Sequence, residues 1–240
     1  MRYEESYAPR IGDYDGEGRM FLPAVLRILE DIASRHSAHV GDCVIEDTRQ
    51  GVAWFIVGWH VQVLRRPVYP EPLTIRTWAR TTPRKGSMLR EYCILGADGA
   101  PCVLGLSKFA LFDLRAGHVV PVSDALFALY APDEERLFEE SDLPRLHEPD
   151  AYQSVTQVAL RRSDIDFNAH VHNLSYLYLA LEALPEDVYR QDAFTALRMV
   201  FRKAVQAGEA IECRYANVGG VHTVGIYGGD GTLRALVEME

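Results

Sequence analysis

The spacing of apolar and polar positions along this chain of 240 residues predicts a long helix, then strands, and then the same succession a second time. From Leu22 to Val40, residues Leu22, Val25, Leu26, Leu29, Ile32 and Ala33 recur at helical spacing and Gly41 supplies a stop, which predicts one amphipathic, largely buried helix. After it, Ala53 to Leu64, Leu73 to Arg80, Ser87 to Leu95 and Cys102 to Phe112 are rich in β-branched and aromatic residues in alternation, the pattern of strands. Pro67, Pro70 and Pro72 cannot continue a ladder, Asp98-Gly99 favours a tight turn, and Gly117 breaks the chain before Pro121. An antiparallel meander follows.

Residues 131–150 change character, with Pro132, Pro144, Pro149 and eight acidic residues, and are expected to be a linker. Beyond them come a strand near Val155 to Leu160, a polar loop, and a helix from Asn173 to Leu184 ended by Pro185. Four more strands are predicted at Thr195 to Val205, Ala210 to Tyr215, Val221 to Tyr227 and Thr232 to Met239. Shifting the chain on itself by 151 residues places Asp13 on Asp164, Asp15 on Asp166, Glu17 on Asn168, Arg19 on His170 and Asp31 on Glu182. The acidic pair repeats while the Asn and His do not. The reading is a duplicated α+β chain, each helix wrapped by its own antiparallel sheet, with halves at 1–130 and 151–240 and one site per chain.

Composition narrows the partners. A formal net charge of −9 argues against non-specific nucleic-acid binding as the main activity. Cys43, Cys93, Cys102 and Cys213 are widely spaced without a C-x-x-C pair, as expected of reduced, packed thiols. No secretory signal opens the sequence and no stretch is long enough to span a bilayer, so a cytoplasmic location without a membrane span is expected.

The chemistry concentrates in Arg161-Arg-Ser-Asp-Ile-Asp-Phe-Asn-Ala-His-Val-His-Asn-Leu-Ser-Tyr, just ahead of the second helix. A carboxylate, an amide and an imidazole gathered there offer what thioester hydrolysis needs, donors for a developing oxyanion and an acceptor for the proton of attacking water. Backbone N–H groups at the helix start, the Asn168 amide or a protonated His170 would serve as donors. Either Asp166 or His170 would serve as base, and the sequence leaves that choice open.

The segment resembles the D-x-D-x-N-x-H-V-N-N-x-x-Y signature of acyl-acyl carrier protein (acyl-ACP) thioesterases, the plant plastid enzymes and their bacterial relatives. Asp164, Asp166, Asn168, His170, Val171, Asn173 and Tyr176 match it. The first helix, the run from Trp59 to Val68 and the Leu73-Thr-Ile-Arg-Thr-Trp strand also look like that family. The resemblance implies a tandem, or double, hotdog fold and hydrolysis of fatty acyl-ACP by water. It implies Asp166, Asn168 and His170 as the catalytic set, with Asn173 and Tyr176 near the substrate. Two departures stand out: plant members carry Glu followed by Cys where this chain has Ala204-Val205, and His172 replaces the usual Asn. Asp166 and His170 are then the proton acceptors that remain.

Trp54, Ile56 and Trp78 are candidates to line an acyl pocket beside the first helix. Arg65, Arg66, Arg84 and Lys85, with Arg90 nearby, are candidates to meet the acidic carrier protein or its phosphopantetheine phosphate. His36 and His39, close to Asp31, have a spacing that suits a metal, although pocket lining is the simpler reading. The Asp13 loop lacks the terminal Glu of a calcium loop, and neither a phosphate-binding Gly-rich loop nor G-x-S-x-G occurs. No cofactor or metal is expected. Competing readings are an acyl-CoA thioesterase or a dehydratase on the same fold, and a non-catalytic acyl-thioester-binding module. Hotdog relatives commonly pair, so a homodimer fits; oligomeric state and acyl chain length stay open.

Overall fold

The computed structural model describes residues 1–81, 86–167 and 169–240. The chain divides into two units, Met1–Leu143 and Pro144–Glu240.

Unit 1 runs β1 (Tyr3–Tyr7), α1 (Leu22–His39), α2 (Val44–Gln50), β2 (Val52–Val63), β3 (Leu73–Arg80), β4 (Met88–Leu95), β5 (Pro101–Asp113), β6 (His118–Val120) and α3 (Asp124–Leu129). Its strands pair antiparallel in the order β1-β3-β4-β5-β2, with β6 folding back on β5. Helix α1 starts with Pro23 in its first turn, where a missing N–H costs nothing, and buries Leu22, Val25, Leu26, Ile28, Leu29 and Ile32. Cross-strand register puts Ile75, Thr77 and Ala79 on the same face as Ile94, Tyr92 and Arg90, followed by Val103, Gly105 and Ser107. That face packs on α1. At Gly105 a Cβ would lie 2.9 Å from Leu29 Cδ1, so the helix can approach this closely only over glycine.

The opposite face carries Trp78, Arg80, Leu89, Glu91 and Leu106, and the stretch after α3 covers it. Phe138 packs with Leu89 and Leu106, flanked by Leu137 and Leu143. The Trp78 indole donates to the Glu135 carbonyl at 3.1 Å. Beneath this cover the buried Arg80 guanidinium and Glu91 carboxyl face each other at 3.3 Å. The expected linker at 131–150 is therefore a packed layer through Leu143, and the unit boundary falls inside it. Its acidic composition hid the few apolar anchors that hold it down.

Unit 2 runs β7 (Ser154–Val158), α4 (Asn173–Glu182), α5 (Glu186–Gln191), β8 (Ala196–Phe201), β9 (Ile211–Val218), β10 (Val221–Gly228) and β11 (Leu233–Met239). The antiparallel order is β8-β11-β10-β9-β7, and α4 lies against β10 and β11. Pro185 ends α4 as expected but also caps α5. Strand β8 stops at Phe201 rather than Val205, because the Val205 N–H is taken by the Tyr176 hydroxyl at 2.9 Å and its carbonyl by the Val171 N–H at 3.0 Å. Strand β1 and the short helices were not predicted, since segments of five to seven residues hold too little periodicity to register. Among the described residues no helix is long and apolar enough to cross a membrane.

Candidate active site

The two polar turns that the shift of 151 residues overlays are built from the same hydrogen bonds. In unit 2 the Asp166 N–H donates to the His170 carbonyl at 2.8 Å, the Ala169 N–H to the Asp166 carbonyl at 3.1 Å, and the His172 N–H to the Asp164 carbonyl at 2.8 Å. In unit 1 the corresponding bonds, Asp15 to Arg19, Gly18 to Asp15 and Phe21 to Asp13, measure 2.9, 3.0 and 2.9 Å. The carboxylates act alike as well: Asp166 Oδ1 accepts the His170 N–H at 3.2 Å, and Asp15 Oδ1 accepts the Arg19 N–H at 2.8 Å. An Asp at the head of such a turn satisfies backbone donors that would otherwise oppose its curvature.

The turns differ where chemistry would differ. In unit 1 the Arg19 guanidinium closes onto Asp15 at 3.0 Å and Glu17 at 3.4 Å. Its turning residue is Gly18, at φ 77°. In unit 2 the turning residue is Ala169 at φ 61°, a left-handed conformation that costs an L-residue about 1–2 kcal/mol. Strain of this kind clusters at functional sites. The next residue, His170, is half-buried, and of its two ring nitrogens only Nδ1 is both buried and without a hydrogen-bond partner.

Helix α4 begins at once: His172 is its N-cap, and its Nδ1 accepts the Leu174 N–H at 3.3 Å. The His that replaces the family's usual Asn thus performs a cap that Asn would also provide. Asp164 is buried, takes the Arg161 N–H at 2.7 Å and pairs with the Arg161 guanidinium at 3.4 Å. On this side of α4 a groove of about 400 Å³ is lined by Arg161, Ser163, Asp164, His172, Ser175 and Tyr178, among others.

The expected site residues fall into distinct environments. Asp166 and His170 share the turn, and Asn173 is the first residue of α4. Asn168, Arg84 and Lys85 lie outside the described residues. The Tyr176 hydroxyl accepts the Val205 N–H and its ring meets Phe201 edge-on at 5.2 Å, so this side chain braces the end of β8 and the segment after it, whose Val205 carbonyl takes the Val171 N–H. Burial raises the Tyr176 phenol's pKa, keeping the hydroxyl protonated. The family's Glu and Cys positions are an exposed Ala204 and a fully buried Val205.

In unit 1, Trp54 and Ile56 stand on the α1-facing side of the sheet, where the Trp54 indole donates to Asp42 at 2.9 Å. Trp78, grouped with them from sequence, is on the opposite face. Arg65 is held by Glu71 through bonds of 2.9 and 2.6 Å, and this partner pulls the Glu71 carboxyl down to about 2. Arg66 donates to the Met20 carbonyl at 2.8 Å. Arg90, expected near a carrier surface, is in the core at 1% exposure. Its place in the strand alternation, in phase with Met88, Tyr92 and Ile94, was the signal that could have found this. His36 Nδ1 faces the Arg90 guanidinium at 2.7 Å, an arrangement that leaves this nitrogen no room for a metal ion.

A model of the acyl-ACP thioesterase N-terminal domain matches residues 1–130, and one of the acyl-ACP thioesterase C-terminal domain matches residues 147–226. The chain belongs to the acyl-ACP thioesterase family. This family member is 21% identical over 229 residues to oleoyl-acyl carrier protein thioesterase 1, chloroplastic, of Arabidopsis thaliana, a match covering 88% of the chain and 63% of that protein. It spans about three fifths of the length of such curated relatives. It superposes on the 12:0-ACP thioesterase from Umbellularia californica with a TM-score of 0.89 at 16% identity, over 100% of this chain and 96% of that one. An acyl-ACP thioesterase from Bacteroides thetaiotaomicron gives 0.86 at 15% identity, over 99% and 96%. These likenesses establish the tandem hotdog fold expected from sequence.

Proposed function

We propose that this chain hydrolyses the thioester of fatty acyl-ACP to free fatty acid and carrier protein, with the turn of unit 2 as its catalytic centre. One observation carries the reading: a half-buried His170 follows a carboxylate turn just ahead of α4, where Asp166 Oδ1 accepts its backbone N–H and its ring keeps Nδ1 enclosed. In this reading His170 removes a proton as water adds to the thioester carbonyl carbon. The carbon–sulfur bond then breaks, and the departing thiolate takes that proton back. Asp166, which binds the His170 backbone, stabilises the imidazolium that forms. The dipole of α4, with the Asn168 amide, offsets charge on the oxyanion.

Acyl-ACP thioesterases supply the substrate class, and the acyl pocket is assigned to the region of Trp54 and Ile56. The cytoplasm is the proposed location. All four cysteines are free, and burial pushes the Cys93 thiol up to about 11 and the Cys213 thiol up to about 12, so both stay protonated and inert. A homodimer belongs to the same reading and is tested by light scattering. The function is tested by following thiol release from acyl-ACP and acyl-CoA of matched chain length. Faster release from acyl-ACP is expected; equal or faster release from acyl-CoA would transfer the assignment to coenzyme A esters, and no release from either would end it.

A further inference from the structure

The offset of 151 residues holds element by element where the two units begin. Strands β1 and β7 start at Tyr3 and Ser154, the 3-10 turns after them at Ile11 and Arg162, and helices α1 and α4 at Leu22 and Asn173. Side chains at matched positions can therefore be compared directly. Asp13 and Asp164 are both buried acids. In unit 1 two side chains answer Asp13: the Tyr7 hydroxyl donates to one carboxylate oxygen, and the Arg27 guanidinium, from the second turn of α1, donates to the other. Arg27 also stands 3.4 Å from the Tyr7 hydroxyl and 3.5 Å from Asp31.

Unit 2 keeps the acid and changes both partners. Val158 takes the place of Tyr7 and Tyr178 that of Arg27, so the carboxylate loses a hydroxyl and a cation. The groove of about 400 Å³ lies at these positions, its lining including Asp164, Ser175 and Tyr178, the counterparts of Asp13, Ala24 and Arg27. Among the described residues Asp164 keeps one cationic neighbour, Arg161, which binds Oδ2 firmly only through its backbone N–H at 2.7 Å. The Arg161 Nη2 and Nε stand 3.4 and 3.5 Å from the carboxylate, longer than the roughly 2.7–2.9 Å of a strong charge-assisted bond. That side chain is 66% exposed, so water competes for it and the pair is weak. The Arg161 guanidinium carbon lies 5.9 Å over the Tyr178 ring, so the ring face turns toward this space. A buried carboxylate beside an aromatic face and the hydroxyls of Ser163 and Ser175, where the sister unit seats a guanidinium, suits a planar cation.

We propose that the Asp164–Tyr178 groove of unit 2 binds a guanidinium group supplied from outside the chain, as Arg27 supplies one from within in unit 1. Asp164 accepts its N–H donors and the Tyr178 ring faces it. The inference goes beyond the hydrolase reading and does not depend on it.

The test is isothermal titration of the full chain with butylguanidinium and with butylurea, a neutral molecule of similar shape. Wild type is expected to bind butylguanidinium saturably and about tenfold or more tightly than butylurea. Asp164→Asn should abolish that preference. Tyr178→Arg restores the internal cation on the pattern of Arg27, so it should abolish binding while holding or raising the melting temperature. Arg161→Ala removes a competing charge and should tighten butylguanidinium about threefold. Equal binding of the two probes, no saturable binding, a preference retained by Tyr178→Arg, or failure of Arg161→Ala to tighten it overturns the site. Should circular dichroism show Asp164→Asn unfolded, the Tyr178→Arg variant decides. A capped Gly-Arg-Gly peptide is titrated alongside: tighter binding of the peptide names a partner protein's arginine as the source, and tighter binding of butylguanidinium names a small free cation.

Discussion

Tyr176→Phe separates two roles for a residue that sequence places near the substrate. In the structure the hydroxyl accepts the Val205 N–H at 2.9 Å, while the Val205 carbonyl accepts the Val171 N–H at 3.0 Å and Gln206 bridges to His170. Phenylalanine keeps the ring contact with Phe201 but leaves the N–H of a fully buried residue unmatched. The cost is about 1–3 kcal/mol, and a value near the middle lowers the melting temperature by roughly 4–8 °C for a chain of this size. Loosening the backbone that seats His170 should lower kcat by roughly 3–10-fold while KM changes little. Urea unfolding followed by circular dichroism gives the stability, and thiol release over a range of acyl-ACP concentrations gives the kinetic split. Wild-type stability together with a raised KM would refute the bracing role and return Tyr176 to the substrate.

Ala169→Gly removes the Cβ that opposes the left-handed turn and should gain about 0.5 kcal/mol after the added chain entropy is offset, whereas Ala169→Val should lose more than about 1 kcal/mol; similar guanidinium unfolding curves for the two would contradict this. Burial raises the Glu91 carboxyl from 4.5 to about 7, so the folded chain keeps a proton that the unfolded chain releases, and stability falls as pH rises between those values. The stability of wild type relative to Glu91→Gln should therefore drop by roughly 2–3 kcal/mol from pH 5 to pH 7.5, and a difference that does not vary with pH would contradict the shift. Arg65→Ala should cost less than about 1 kcal/mol, because the arginine is more than one third exposed in its pair with Glu71, and should leave the KM for acyl-ACP within about twofold. A large rise in that KM would restore Arg65 as a carrier contact.

Much of this fold was legible because the long elements carry strong periodicity. The residues Leu22, Val25, Leu26 and Leu29 announce α1, and β3 was bounded by prolines that no strand interior accepts. The duplication was legible in the acidic pairs, and it extends to individual backbone bonds that no residue pattern encodes. What stayed hidden depends on tertiary context. The 131–143 layer is held by a few apolar residues among acids, the end of β8 is set by a hydroxyl from α4, and Trp78 was grouped with Trp54 although register places them on opposite faces. Arg90 read as a surface cation because charge is usually exposed, and only alternation along β4 argued otherwise.

The most direct measurement is the steady-state rate of thiol release from acyl-ACP by wild type, Asp166→Asn and His170→Ala, with circular dichroism confirming that each variant is folded. The account predicts losses on the order of 10²-fold or more in both variants. Near-normal turnover by both folded variants would contradict it and leave the turn of unit 2 a structural relic of the duplication.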